Sequence, residues 1–338
     1  MENLIPVLSP NTSRRLSSID GTLRPSSFVA GLLVVLTLTG CGPKYTYLSN
    51  SVTKSIEAIN RKEYKIDSTA RVAGKTVGAL IYFDSIVDAK GQVSKEIHEA
   101  MGKVMQSVTR VALSTDLALD FCTVVIRDRR QGNELLITRS LDDTKRANAE
   151  AVGIEESINR TVFGQGKYKP GPGDSGAFVL KEVKLENFLT EQIVQRIRFG
   201  FSKESAAEET PRNSILVDGL FDRESGTRSF RFSMISIKSG DPKKMMLTVF
   251  NIINDVLKGY SFNGFDKVEI QDYLNRKKLI VDRQTILDYQ QKKVTEAQIL
   301  DKCLVESQSI QEAFKLFGFS LPQEVKDKDA AVPRSAAP

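Results

Sequence analysis

The sequence predicts an α+β protein of two tandem modules, each a small antiparallel sheet packed with helices, arising by internal duplication. Three observations carry this. Helical spacings of three and four residues alternate with strand-like spacings of two. The order helix, strand, helix, strand, strand, helix occurs once before residue 160 and again after residue 180. Between them the run Gly164 to Gly176 is rich in glycine and proline and marks a linker over 161–180. The modules are thus 41–160 and 181–320, and 321–338 is a disordered tail of alternating Lys and Asp followed by Ala and Pro. Residue identity between the halves is low, so element order alone stands against a chance succession.

In the first half, Leu48, Val52, Ile56 and Ile59 recur at helical steps. Lys75–Phe83 is extended, and Ser94 caps a helix carrying Ile97, Met101, Val104, Val108 and Val111 on one face. Leu119–Ile126 and Glu134–Arg139 are strands joined at Gln131-Gly132-Asn133, and a polar helix from Asp142 to Ile158 closes the unit. The second half repeats the plan. A helix from Leu185 to Phe199 sets Leu189, Ile193 and Ile197 in step, and strands follow at Ser214–Phe221 and Ser229–Ile237. Asp241-Pro242 opens a helix with Met246, Val249, Phe250, Ile253 and Leu257. Phe265–Ile270 and Lys278–Val281 pair around Asn275-Arg276-Lys277, and a helical region runs from Thr285 to Phe317.

The 338 residues carry a formal charge of +6, and 41% of them are hydrophobic, an ordinary balance for folded domains. Removal of residues 1–40 (Arg14, Arg15 and Arg24 against Glu2 and Asp20) leaves about +5, too mild for a nucleic-acid-binding chain. Cys122 falls in an apolar strand and Cys303 in a helical stretch. Two buried free thiols are expected rather than a disulfide.

No catalytic set converges. Gly171-Pro172-Gly173-Asp174-Ser175-Gly176 overlaps a dinucleotide fingerprint and a protease nucleophile segment. It lacks the preceding strand of the first, and the sole histidine, His98, lies on an amphipathic helix outside any motif of the second. Linker is therefore its reading. Adjacent acids on helices, Asp142-Asp143 and Glu155-Glu156, point about 100° apart and do not form an acid–base couple. Met101, Met105, Met245 and Met246 sit at core spacing. One histidine and no cysteine pairs leave no recognisable metal site, and no cofactor is expected. The turn between paired strands is basic in both halves: Arg127, Arg129 and Arg130, then Arg276, Lys277 and Lys278. Such tips are candidates to grip a polyanion, against the plainer reading of charged turns that discourage edge pairing.

The N-terminal run FVAGLLVVLTLTGC, Phe28 to Cys41, follows Arg24 and is shorter than the about 20 residues that cross a bilayer. Its end, Leu38-Thr39-Gly40-Cys41, resembles the lipobox of bacterial lipoproteins. That resemblance implies cleavage before Cys41, lipidation of its thiol, and Gly42 where an acid would mark inner-membrane retention. No methionine stands between Met1 and Met101, and translation from Leu23 would leave a compact signal. The expectation is a lipid-anchored binding or scaffold protein of the envelope, at the outer membrane facing the periplasm. Its partners would be the membrane, through Cys41, and an envelope protein. A carrier or sensor of a small ligand between the modules is the second reading, and an envelope enzyme the third.

Overall fold

A computed structural model of the chain describes residues 45–87, 92–168, 178–205, 215–223, 226–236 and 241–307. Cys41, the Gly-Pro run 171–176 and the tail lie outside the described residues.

The first module opens with a short 3-10 turn, helix α1 (Val52–Ile59) and a single π-helical turn (Asn60–Tyr64) closed by Lys65 at φ 59°. Strands β1 (Thr69–Ala73) and β2 (Thr76–Phe83), helix α2 (Lys95–Ala112), and strands β3 (Phe121–Asp128) and β4 (Asn133–Ser140) follow. Helices α3 (Leu141–Asn148) and α4 (Ile154–Asn159) and strand β5 (Val162–Lys167) complete it. The second module contains α5 (Leu185–Ser205), β6 (Ile215–Asp222), β7 (Ser229–Ser236), α6 (Pro242–Gly259), β8 (Lys267–Asp272) and β9 (Lys277–Asp282). It ends with α7 (Arg283–Gln290), α8 (Glu296–Cys303) and β10 (Leu304–Glu306).

The two-module α+β architecture is present, and the sheets have the same strand order: β1-β2-β3-β4-β5 and β6-β7-β8-β9-β10. They are mixed rather than purely antiparallel. β2 runs parallel to β3 and β7 to β8. In each case an 18-residue helix returns the chain to the same end of the sheet before the next strand, which a hairpin cannot do. A further difference lies at the expected linker: its first part is β5, paired antiparallel to β4. Gly164 fits there because a Cβ would stand 3.3 Å from the Cβ of Leu136.

The duplication extends to single backbone bonds. Asp128 Oδ1 accepts from the amides of Arg130 and Gln131, and Asp272 Oδ1 from those of Leu274 and Asn275. Four residues after each aspartate the chain turns left-handed, at Gly132 (φ 65°) and Arg276 (φ 51°). Their carbonyls accept 2.8 Å bonds from Tyr168 N and Ser307 N. The second residue past the end of the following helix is left-handed in both, Glu150 in one module and Lys292 in the other. Lys75 pairs with Asp120 at the base of one sheet as Arg228 does with Asp266 in the other. Strands β8 and β9 are each two residues shorter than β3 and β4. Two residues are one pleat repeat, so every side chain keeps its face.

Arg276 pays a left-handed penalty of about 1–2 kcal/mol that Gly132 does not, partly offset by glycine's extra chain entropy. Arg276→Gly is expected to raise stability by about 0.5–1 kcal/mol, read as a higher urea midpoint at unchanged slope.

Helices pack on one face of each sheet. In the first module Val52, Ile56, Ile97, Val104 and Val108 meet Val77, Val124 and Ile126. The opposite face is covered by residues 178–180, where Phe178 and Leu180 lie on Leu80 and Val125. The second core includes Phe230, Phe232, Phe250 and Phe265, and it also takes in Phe121 and Val162 from the first module.

Candidate functional site

The basic turns are largely committed to their own module. Arg127 bonds Glu134 at 2.7 Å and stacks on Tyr168. Lys277 pairs with Glu306, and Lys278 with Glu269 at 2.8 Å. Arg129 lies over the Tyr82 ring, Arg130 is 4.0 Å from Asp84, and Arg276 is exposed at its tip. Among the described residues no hydrogen bond or ion pair joins one turn to the other. Arg129 borders an open polar groove of about 850 Å³ with Arg61, Lys65 and Lys103, but Asp67, Glu96 and Glu99 line it too. Its charges nearly cancel, which weakens any attraction for a polyanion.

The junction between the modules is closed. Arg160, at the end of α4, donates to Asp143 (2.7 Å) and Glu156 (2.8 Å) and lies over the ring of Tyr260, at the end of α6. Tyr260 Oη donates to Asp143 and accepts from Gln192. Burial works against the Arg160 charge, but the Asp143 and Glu156 bonds outweigh it and raise its pKa. Burial and the Asp143 carboxylate raise that of Tyr260, so the phenol stays a donor. Phe121 and Phe188 fill the space beside it, ring centres 5.1 Å apart. The ligand site expected between the modules meets a packed interface here.

An open site lies within the first module. Between α2 and the chain from β4 to β5 runs a groove of about 790 Å³. Met101, Met105, Leu113, Ile137, Ile158 and Phe163 supply its apolar lining. His98, on its border, stays exposed with Nδ1 2.9 Å from the carbonyl of Ser94.

The second module shows why this groove is open. The buried faces of the long helices match in order: Ile97, Ala100, Val104 and Val108 against Met246, Val249, Ile253 and Leu257. This sets Met101 against Phe250 and Gly102 against Asn251, while the caps of α3 and α7 set Ala147 against Tyr289. In the second module Tyr289 packs on Phe250, with ring centres 5.3 Å apart. It donates to Asn251, which in turn donates to Glu296 of α8. That closes the groove. In the first, the smaller residues leave it empty, and α4 is held toward α5 instead by Glu156–Arg196.

Arg139 stands at the groove, on the helix-covered row of β4 with Ile137; counted back from the helix caps Ser140 and Asp282, its counterpart in the second module is Val281, fully buried. Its Nε donates to Thr161 Oγ1 at 3.0 Å. Among the described residues no carboxylate lies within 4.0 Å of it, and burial lowers its pKa. Sequence reasoning passed over Arg139; the available signal was a cation on the same face as Ile137 in an alternating strand. Opposite it, Cys122 is a free thiol pushed up to about 12 by burial, hence inert; Cys303 is also free but only half-buried. Among the described residues no three His, Cys, Asp or Glu side chains gather as metal ligands.

Gly102 lies inside α2, and a Cβ there would meet nothing within 4 Å. Gly102→Ala is therefore expected to stabilise by about 0.5–1 kcal/mol, by removing backbone freedom from the unfolded chain. A urea titration of the full chain checks it.

No family model and no curated protein matches the chain. A solved structure titled as the sex pheromone staph-cAM373 precursor aligns over 77% of this chain and 89% of its own, at 8% identity and a TM-score of 0.20. Similarity at that level bears on neither fold nor function.

Proposed function

We propose that the chain is a lipid-anchored binding protein of the bacterial cell envelope, at the outer membrane facing the periplasm, with its binding surface on the first module. The observation that carries this is the open apolar groove beside α2, at the place where the second module fills its own with Tyr289 and Asn251. Two copies of one architecture differ there in a way that leaves one face unfilled. An exposed apolar lining of this kind suits contact with another molecule. The anchor rests on the lipobox resemblance ending at Cys41. Among the described residues no helix is long and apolar enough to cross a membrane. The packed junction disfavours a ligand held between the modules.

A photo-activated cross-linker at Phe163, 49% exposed on the groove wall, is expected to capture envelope components from living cells. The same chain carrying Gly102→Leu, which grows a side chain into the open space, is expected to capture none. Equal capture by both would overturn the assignment. Cys41→Ser is expected to release the chain from the membrane fraction, and unchanged pelleting would remove the anchor.

A further inference from the structure

We infer that the groove on the first module holds a single-chain anionic amphiphile of the fatty-acid type, its tail along Met101, Met105, Ile137 and Phe163 and its carboxylate on Arg139. This rests on the groove being the binding surface and names the class of its occupant.

The volume, about 790 Å³, lies within the range of small-molecule sites. Most of its exposed surface is apolar, but Gln106, Thr109, Thr144 and Asn148 interrupt it, and the lining contains Arg110 and Arg139 but no aspartate or glutamate. Arg110 is already held by Glu63 through two hydrogen bonds. Arg139 is different: its one described hydrogen bond is to Thr161, and its position is occupied by a buried valine in the sister module. Arg139 is half-buried beside apolar side chains and has lost part of its water, so an anion reaching it would replace solvent that the wall excludes. An arginine there, where valine closes the equivalent sheet, suits an anion-binding site.

The placement also selects among anions. An amphipathic helix from a protein partner would lay its apolar face into the groove and keep its acids at the rim. A cation in the row of core-facing strand residues is the wrong place for those acids. A fatty carboxylate carries charge at one end and can bring it down to the wall. Met101 and Met105, flexible and polarisable, suit a tail of variable shape.

The test is calorimetric titration of the full chain carrying Cys41→Ser, so that its own lipid does not compete. Dodecanoate below its micelle concentration is the probe, with dodecanol and dodecyltrimethylammonium as controls of equal tail. Dodecanoate is expected to bind at least about tenfold more tightly than either control. Arg139→Val, which copies the second module, is expected to weaken dodecanoate at least about tenfold and leave dodecanol unchanged; Arg139→Gln serves if the valine variant misfolds. Gly102→Leu is expected to abolish binding of all three. Equal binding of the three probes, or dodecanoate binding indifferent to Arg139, would overturn the inference. Absence of dodecanoate binding in a chain whose Phe163 cross-linker still captures a protein would also overturn it, while sparing the groove as a binding surface. Loss of both would remove the groove itself.

Discussion

Arg160→Met is expected to lower the unfolding free energy by about 3–5 kcal/mol, the usual cost of stranding one member of a buried ion pair. The side chain is 9% exposed, and its loss would leave the Asp143 carboxylate, 8% exposed, with Tyr260 as its main partner. Glu156 would keep Arg196, so the damage centres on Asp143. The network ties α3 and α4 of one module to the end of α6 in the other, and its failure would loosen the junction as well as cost energy. Urea unfolding of the full chain measures it. The companion experiment separates charge from shape: Asp143→Leu, Arg160→Met and Tyr260→Phe together remove the polar groups of the triad, with Gln192→Leu added because its amide would lose Tyr260 as acceptor. That fourfold variant is expected to recover most of the loss, because well-packed apolar replacements of buried ion pairs are often neutral. A single variant within about 1 kcal/mol of the wild type would mean that water reaches Asp143 and pairs it instead.

What the sequence made legible was what local pattern determines. Ile97, Val104 and Val108 on one face of a helix, and Ser229–Ser236 alternating in a strand, announce their elements without reference to the rest of the chain. Recurrence of those elements was enough to read the duplication. What stayed hidden depends on partners far along the chain. β1 is five residues with Val72 turned to solvent, and only pairing with β2 makes it a strand. β5 contains Gly164 and Gly166 and reads as linker until β4 lies beside it. β10 lies inside a stretch expected to stay helical from Thr285 to Phe317, and Lys292 in the left-handed region breaks that helix early. The expected helix from Asp142 to Ile158 likewise divides at Glu150. The basic turns were visible as charge, yet the acids that engage Arg127, Lys277 and Lys278 come from neighbouring strands. Arg139 and Arg160 look alike in sequence. One has two carboxylates within 2.8 Å and the other has none within 4.0 Å, a difference only tertiary structure creates.

Phe188→Ala is expected to cost about 3–5 kcal/mol, as for other aromatic truncations in closed cores. Phe188 is 2% exposed and touches two rings, Phe121 at 5.1 Å and Tyr260 at 6.2 Å between centres. Such ring pairs add about 0.5–1.5 kcal/mol beyond the area they bury. Phe121 begins β3, the middle strand of the first sheet between β2 and β4, although its side chain belongs to the second module's core. A cavity at Phe188 therefore removes support from both sheets at once. Native-state hydrogen exchange on the full chain tests this directly, since it reports stability strand by strand. Amides of β3 and β4 are expected to exchange faster together with those of β7 and β8, by the same free energy. Faster exchange confined to β6 through β10 would show that the modules open independently. The aromatic contact would then be a resting place between two separate folding units, and the Arg160 network would have to hold the junction alone.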